Sequence, residues 1–198
     1  MVCKKSTFNT YQEYLVIGYF AGIKGSEEFD MLIRQMRQTS FPSIDVSKWD
    51  GLKEQAHITL AHLGKQRPDT ERFQDVGQSR EPFEISIEGV KIFSNQQTTH
   101  LVLPIVHGSD ELRMLNAQLR TAGKVPDRGY TPHMTVVSAL NDRRGETDAY
   151  RQMLLFREKY HDKVWGRMVV TSFHLFTSTQ GVCRAVDVWR LSGKGEVM

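Results

Sequence analysis

The chain has 198 residues, a length that suits one compact domain, and its 39% apolar and 10% aromatic content is enough for a packed core. The 26 Lys and Arg against 23 Asp and Glu leave a net charge of +3, which permits nucleic-acid contact without arguing for it. No apolar run approaches a membrane span, residues 1–10 lack the apolar stretch of a signal peptide, and Cys3 and Cys183 form no C-x-x-C, so a soluble, cytoplasmic protein with free thiols is expected.

In chain order, residues 14–21 are apolar and aromatic and predict a strand. Ser26 is a plausible N-cap, with Glu27 and Glu28 favouring a helix start, and Phe29, Leu32, Ile33 and Met36 follow at helical spacing. Residues 39–53 carry Pro42, Ser43, Ser47 and Gly51 and predict a loop. A strand over 55–63 ends at Gly64, and 68–76 suits a short helix. Phe83, Ile85 and Ile87 alternate with Glu84, Ser86 and Glu88, the pattern of a half-buried strand, and 100–106 predicts another. Gly108 and Ser109 open a second helix, with Leu112, Leu115 and Leu119 on one stripe and Gly123 as its stop. Residues 125–131 form a loop and 132–140 a strand. A helix over 146–160 precedes two closing strands, 168–177 and 182–191, joined as a hairpin. The tail beyond 191 is expected to fray.

Two of these strands carry the chemistry. His57-Ile58-Thr59-Leu60 and His133-Met134-Thr135-Val136 each place His and Thr two residues apart, so the pair shares one face of a strand while the apolar residues face the core. Side by side, the strands would converge two imidazoles and two hydroxyls on one spot. Such a set suits a phosphodiester. Histidine, with an unperturbed pKa of about 6.5, serves as acid or base near neutrality. Threonine hydroxyls and nearby backbone N–H groups are donors for phosphoryl oxygens. Each histidine alone would be read as structural; as a matched pair they favour catalysis. Which is acid and which base is open. No metal site is offered: there is no H-E-x-x-H, Cys/His cluster or D-x-D, and Gly193-Lys194-Gly195 lacks the rest of a P-loop.

Among other residues, Tyr130 is a candidate to stack on a base, with a core role equally plausible. Tyr19 and Phe176 are weaker substrate-binding candidates, as is Tyr14, with core placement favoured. Arg184 and Arg128 are candidates for phosphate contact against the simpler reading of solvated arginines, and Arg143 and Arg144 suit a solvated turn. His62, five residues past His57, is expected on the opposite strand face in a structural role. His100, His107, His161 and His174 belong to no motif.

These motifs resemble the 2H phosphoesterase superfamily, defined by two H-x-[ST]-x motifs and including LigT-like proteins, 2′,3′-cyclic phosphodiesterases, 2′-5′ phosphodiesterases and anti-CBASS nucleases. Residues 57–64 are similar to the first motif of the LigT type, and Pro132 before His133 fits the second. The resemblance runs over 14–191 by order of elements. It implies an α+β, quasi-duplicated bilobal fold: two antiparallel-rich sheets around a central cleft with helices outside, forming one domain with its core over about 12–192. It implies a metal-independent phosphodiesterase without cofactor, in which His57 and His133 exchange protons and Thr59 and Thr135 hold the phosphate. The substrate expected is RNA, an oligonucleotide or a cyclic nucleotide, cleaved at a 2′,3′-cyclic phosphate or 2′-5′ linkage by a monomer without membrane contact. Rival readings are a phage or viral enzyme that degrades cyclic or 2′-5′ oligonucleotide immune signals, a non-catalytic nucleotide-binding module, and ligation as the reversal of cleavage.

Overall fold

A computed structural model describes residues 12–19, 57–65, 69–95, 98–140, 148–179 and 182–193. The helix expected after Ser26, the loop over 39–53 and the Arg143-Arg144 turn lie outside the described residues. Nine strands and three helices are described: β1 (Gln12–Tyr19), β2 (His57–Gly64), α1 (Thr70–Gln78), β3 (Phe83–Glu88), β4 (Lys91–Ser94), β5 (Thr98–Pro104), α2 (Ser109–Ala122), β6 (His133–Leu140), α3 (Asp148–Tyr160), β7 (Val164–Val170), β8 (Ser172–Thr179) and β9 (Val182–Arg190).

The first sheet has the order β2-β1-β8-β9, all antiparallel. The remaining strands form a ladder β4-β5-β6 and a pair β3-β7, tied by a bridge between Ile87 and Ile105. The fold is thus α+β with antiparallel sheets, as expected.

One apolar face of the first sheet carries Ile58, Leu60, Phe173, Leu175 and Trp189, each at most 5% exposed. Helix α1 covers it: Phe73 meets the Trp189 ring edge-on with centroids 5.2 Å apart, and Trp189 stacks on Phe173. Gly77 permits the approach, because a Cβ there would sit 2.8 Å from the Arg190 carbonyl oxygen. Helix α2 lays Leu112, Leu115 and Leu119 into the same core. It starts at Gly108, which has φ of 71° and abuts the Glu84 carbonyl, a place where a Cβ would collide.

Three features depart from the sequence-based expectation. The stretch 168–177 is two strands, not one: the chain breaks at Thr171, so that β7 pairs with β3 and β8 with β1. The four-residue β4 was not predicted, being short and bounded by polar residues. Ser86, expected outward, is 1% exposed. Its N–H and C=O bond the chain leaving β5, at His107 O and Val106 N, and its hydroxyl accepts from His107 N at 3.1 Å and donates to Glu88 at 2.7 Å. Full hydrogen bonding is what makes a buried serine tolerable.

Candidate active site

Among the described strands, the two motif strands are the outer ones of their sheets, β2 in the order β2-β1-β8-β9 and β6 in β4-β5-β6. These edges approach one another, with Cα atoms within 8 Å. Each strand is built alike. In β2 the residues opposite Ile17 and Val16 are Thr59 and Ala61, so Leu60 is an extra residue. In β6 the residues opposite Val102 and Leu101 are Thr135 and Val137, so Val136 is the extra one. Both are β-bulges three residues past the histidine. Burial follows the same rhythm in both. The His and Thr are half-buried, the residues after each of them are buried, and burial repeats at Ala61 and Val137 before the next side chain turns outward. Over 57–62 and 133–138 the strands are thus duplicates in geometry even where their residues differ, whereas β2 has a second register shift, at Leu63, that β6 lacks.

The bulge corrects the reading of His62. An extra residue reverses the two-residue alternation, so His62 returns to the side of His57 and Thr59. It is exposed and lines the cavity between the motif strands. In β6 the position equivalent to His62 is Ser138, whose hydroxyl lies 2.8 Å from His100 Nδ1, while Thr98 Oγ1 lies 2.9 Å from His100 Nε2.

That cavity has a volume of about 490 Å³, within the span of roughly 300–1,000 Å³ usual for small-molecule sites. Thr59, His133 and Thr135 form part of its wall. Neither threonine hydroxyl is engaged by another described residue. His57, half-buried on the Thr59 face of β2, is not among the described residues lining the cavity.

His133 is oriented by its own strand entry. Its Nδ1 lies 2.7 Å from Thr131 O. A carbonyl only accepts, so Nδ1 carries the hydrogen and Nε2 is left to take a proton. Phe93 of β4 packs edge-on against the imidazole, centroids 5.1 Å apart. Burial, opposed by the bond to Thr131 O, pulls the His133 pKa below its usual value, which favours the neutral ring.

Helix α2 and the loop entering β6 close the cavity. Asn116, 5% exposed, donates from Nδ2 to Leu60 O, the carbonyl of the bulge residue. Its Oδ1 accepts from Arg120 Nε at 3.0 Å, and Arg120 pairs with Asp127 at 3.1 Å. Asp127 also accepts from Gly129 N at 2.9 Å, pinning the turn that carries Arg128 and Tyr130. Both of these line the cavity. The Tyr130 hydroxyl is buried with no partner among the described residues, and burial raises its pKa.

The other candidates are dispersed. Tyr19 stands opposite His57 in the β1–β2 register, and Arg184 opposite Thr177 in β8–β9; the side chains of both lie outside the described ones. Thr59, Ile17, His174 and Val188 form one row across the first sheet, so His174 and Phe176 belong to the Thr59 face. Phe176 is buried against the His174 ring and is not in the cavity wall. Among the described residues no cluster of three metal-ligating side chains occurs, and no helix is long and apolar enough to cross a membrane.

Comparison with known proteins follows the same lines. The family model of the 2′-5′ RNA ligase superfamily matches residues 26–181. A Methanothermobacter thermautotrophicus protein named RNA 2′,3′-cyclic phosphodiesterase is 35% identical over 92 residues, 42% of this chain and 50% of that protein, so the chain spans about half the length of this relative. Among solved structures, apo E. coli LigT superposes with a TM-score of 0.58 at 19% identity, covering 92% of this chain and 99% of LigT. E. coli LigT complexed with 3′-AMP gives a TM-score of 0.59 at 16% identity, covering 92% and 98%. At these identities the likeness is one of fold.

Proposed function

The chain belongs to the 2′-5′ RNA ligase superfamily, the 2H phosphoesterase group, and from that premise we propose that it cleaves RNA-like or oligonucleotide phosphodiesters, at a 2′,3′-cyclic phosphate or a 2′-5′ linkage, by acid–base catalysis between His57 and His133. The observation that carries this reading is the duplicated bulged strand. Two H-x-T strands of one geometry meet edge to edge, and both threonine hydroxyls, unengaged by any described residue, line one cavity with His133. The relative named RNA 2′,3′-cyclic phosphodiesterase and the LigT complex with 3′-AMP support a nucleotide substrate.

His133, neutral with Nε2 available, is the general base: it takes a proton from water as the water oxygen attacks phosphorus. The bond from phosphorus to a ribose oxygen breaks, and His57 delivers a proton to that oxygen. Thr59 and Thr135 donate to the phosphoryl oxygens, where charge accumulates. Tyr130 supplies a face for a base to stack on. The two histidines carry both proton transfers, so no step calls on a metal.

A panel of 2′,3′-cyclic nucleotides, 2′-5′ oligoadenylate and cyclic di- and trinucleotides, assayed in EDTA with wild type, His57→Ala and His133→Ala, tests this. Turnover that each substitution reduces by roughly 10²–10⁴-fold is expected. Folded, fully active variants would sink the two-histidine mechanism, and binding without turnover by wild type would make the chain a binding module.

A further inference from the structure

The cavity extends past the groups that the proposed reaction uses. On the α2 and loop side its wall includes His62, Arg120 and Arg128. The only carboxylate among its described lining residues is Asp127, and that is committed to Arg120 and to Gly129 N. Arg128 is exposed and forms no ion pair with any described residue. The turn that carries it is held in place nevertheless. Asp127, its neighbour, is fixed on both sides, and Arg120 is in turn fixed by the buried Asn116. His62 stands on the facing strand, turned into the cavity by the bulge at Leu60. Proton transfer and phosphate holding are already assigned to His57, His133, Thr59 and Thr135. The Arg128 guanidinium, paired with no described carboxylate, is therefore open to an anion in the cavity, and the His62 imidazole lines the same wall. Arginine's planar fork of donors suits a phosphate dianion or diester.

Resting on the phosphodiesterase reading above, we propose that the cavity binds a second phosphate of the substrate on Arg128 and His62, so that the preferred substrate is an oligonucleotide or phosphorylated nucleotide bearing a phosphate next to the one cleaved, not a lone cyclic mononucleotide. Arg120, neutralised by Asp127, acts as the anchor of that subsite.

A matched pair of substrates tests this: adenosine 2′,3′-cyclic phosphate with and without a 5′-phosphate. For wild type, kcat/KM for the phosphorylated member should be at least about tenfold higher, and the advantage should shrink as salt rises. In Arg128→Gln, and further in His62→Gln/Arg128→Gln, the ratio should fall toward one. Arg167→Gln, an exposed arginine on β7, controls for general loss of positive charge and should keep the ratio. A wild-type ratio near one, or a ratio that survives the double substitution, overturns the proposal. Titration calorimetry with adenosine 3′,5′-bisphosphate and adenosine 3′-monophosphate separates the subsite from the chemistry. If wild type turns over neither substrate but prefers the bisphosphate, and Arg128→Gln abolishes that preference, the subsite stands and the catalytic reading falls. No preference in wild type, or no binding of either, overturns the subsite directly.

Discussion

Two influences act in opposite senses on the His133 imidazole. Burial disfavours its charged form, the Nδ1–H bond to Thr131 O favours it, and burial is the larger. With His133 as base, activity requires the neutral ring. The acid limb of kcat/KM against pH should therefore have its midpoint below about 6.5. Phe93→Ala admits water beside the ring and should move that midpoint up toward 6.5; a pH-rate profile of both proteins checks the shift. Stability follows by linkage. The folded pKa lies below the unfolded one, so the unfolded chain binds more protons as pH drops below about 6.5, and stability falls in that window until the folded ring also protonates. Thr59→Val and Thr135→Val keep the strand shape and remove one donor each. Each should cost roughly a hundredfold in kcat, with a smaller change in KM, if the hydroxyls serve the transition state.

The bulge at Leu60 is the element on which the first half of the site depends. Asn116 fills the hydrogen-bonding need of the bulge carbonyl and holds Arg120 as well. Asn116→Ala leaves a buried carbonyl and the Arg120 Nε without that partner. A loss of about 1–3 kcal/mol is expected, read as a lower denaturant midpoint with an unchanged slope. Local pattern made much of this level legible. The stripe Leu112, Leu115, Leu119 with Gly123 beyond it gave α2 nearly to the residue, and the H-x-T alternation gave the buried and half-buried faces at the start of β2 and β6. The bulges were not legible. An extra residue leaves no mark in a period-two count, which is why strict alternation puts His62 on the wrong face. The role of Asn116 was equally hidden, since its partner lies 56 residues away.

At the scale of the molecule, the C-terminal hairpin completes the first sheet beside β1, while residues 83–170 build β3 to β7 in a continuous stretch. Nothing local in 172–190 says that β8 will pair with β1, about 160 residues earlier in the chain. A chain ending at residue 170 would lose two of the four strands of that sheet, together with Phe173 and Trp189. It should not fold cooperatively, seen as loss of near-ultraviolet circular dichroism and of a sharp thermal transition. The same arrangement bears on how the protein is made. During synthesis β1 emerges well before β8 and β9, so the middle strands can pair while β1 still offers one open edge to the surroundings. Burial of that edge waits until β8 has left the ribosome, which makes the interval between the synthesis of β1 and that of β8 the one in which this chain most needs a chaperone's protection.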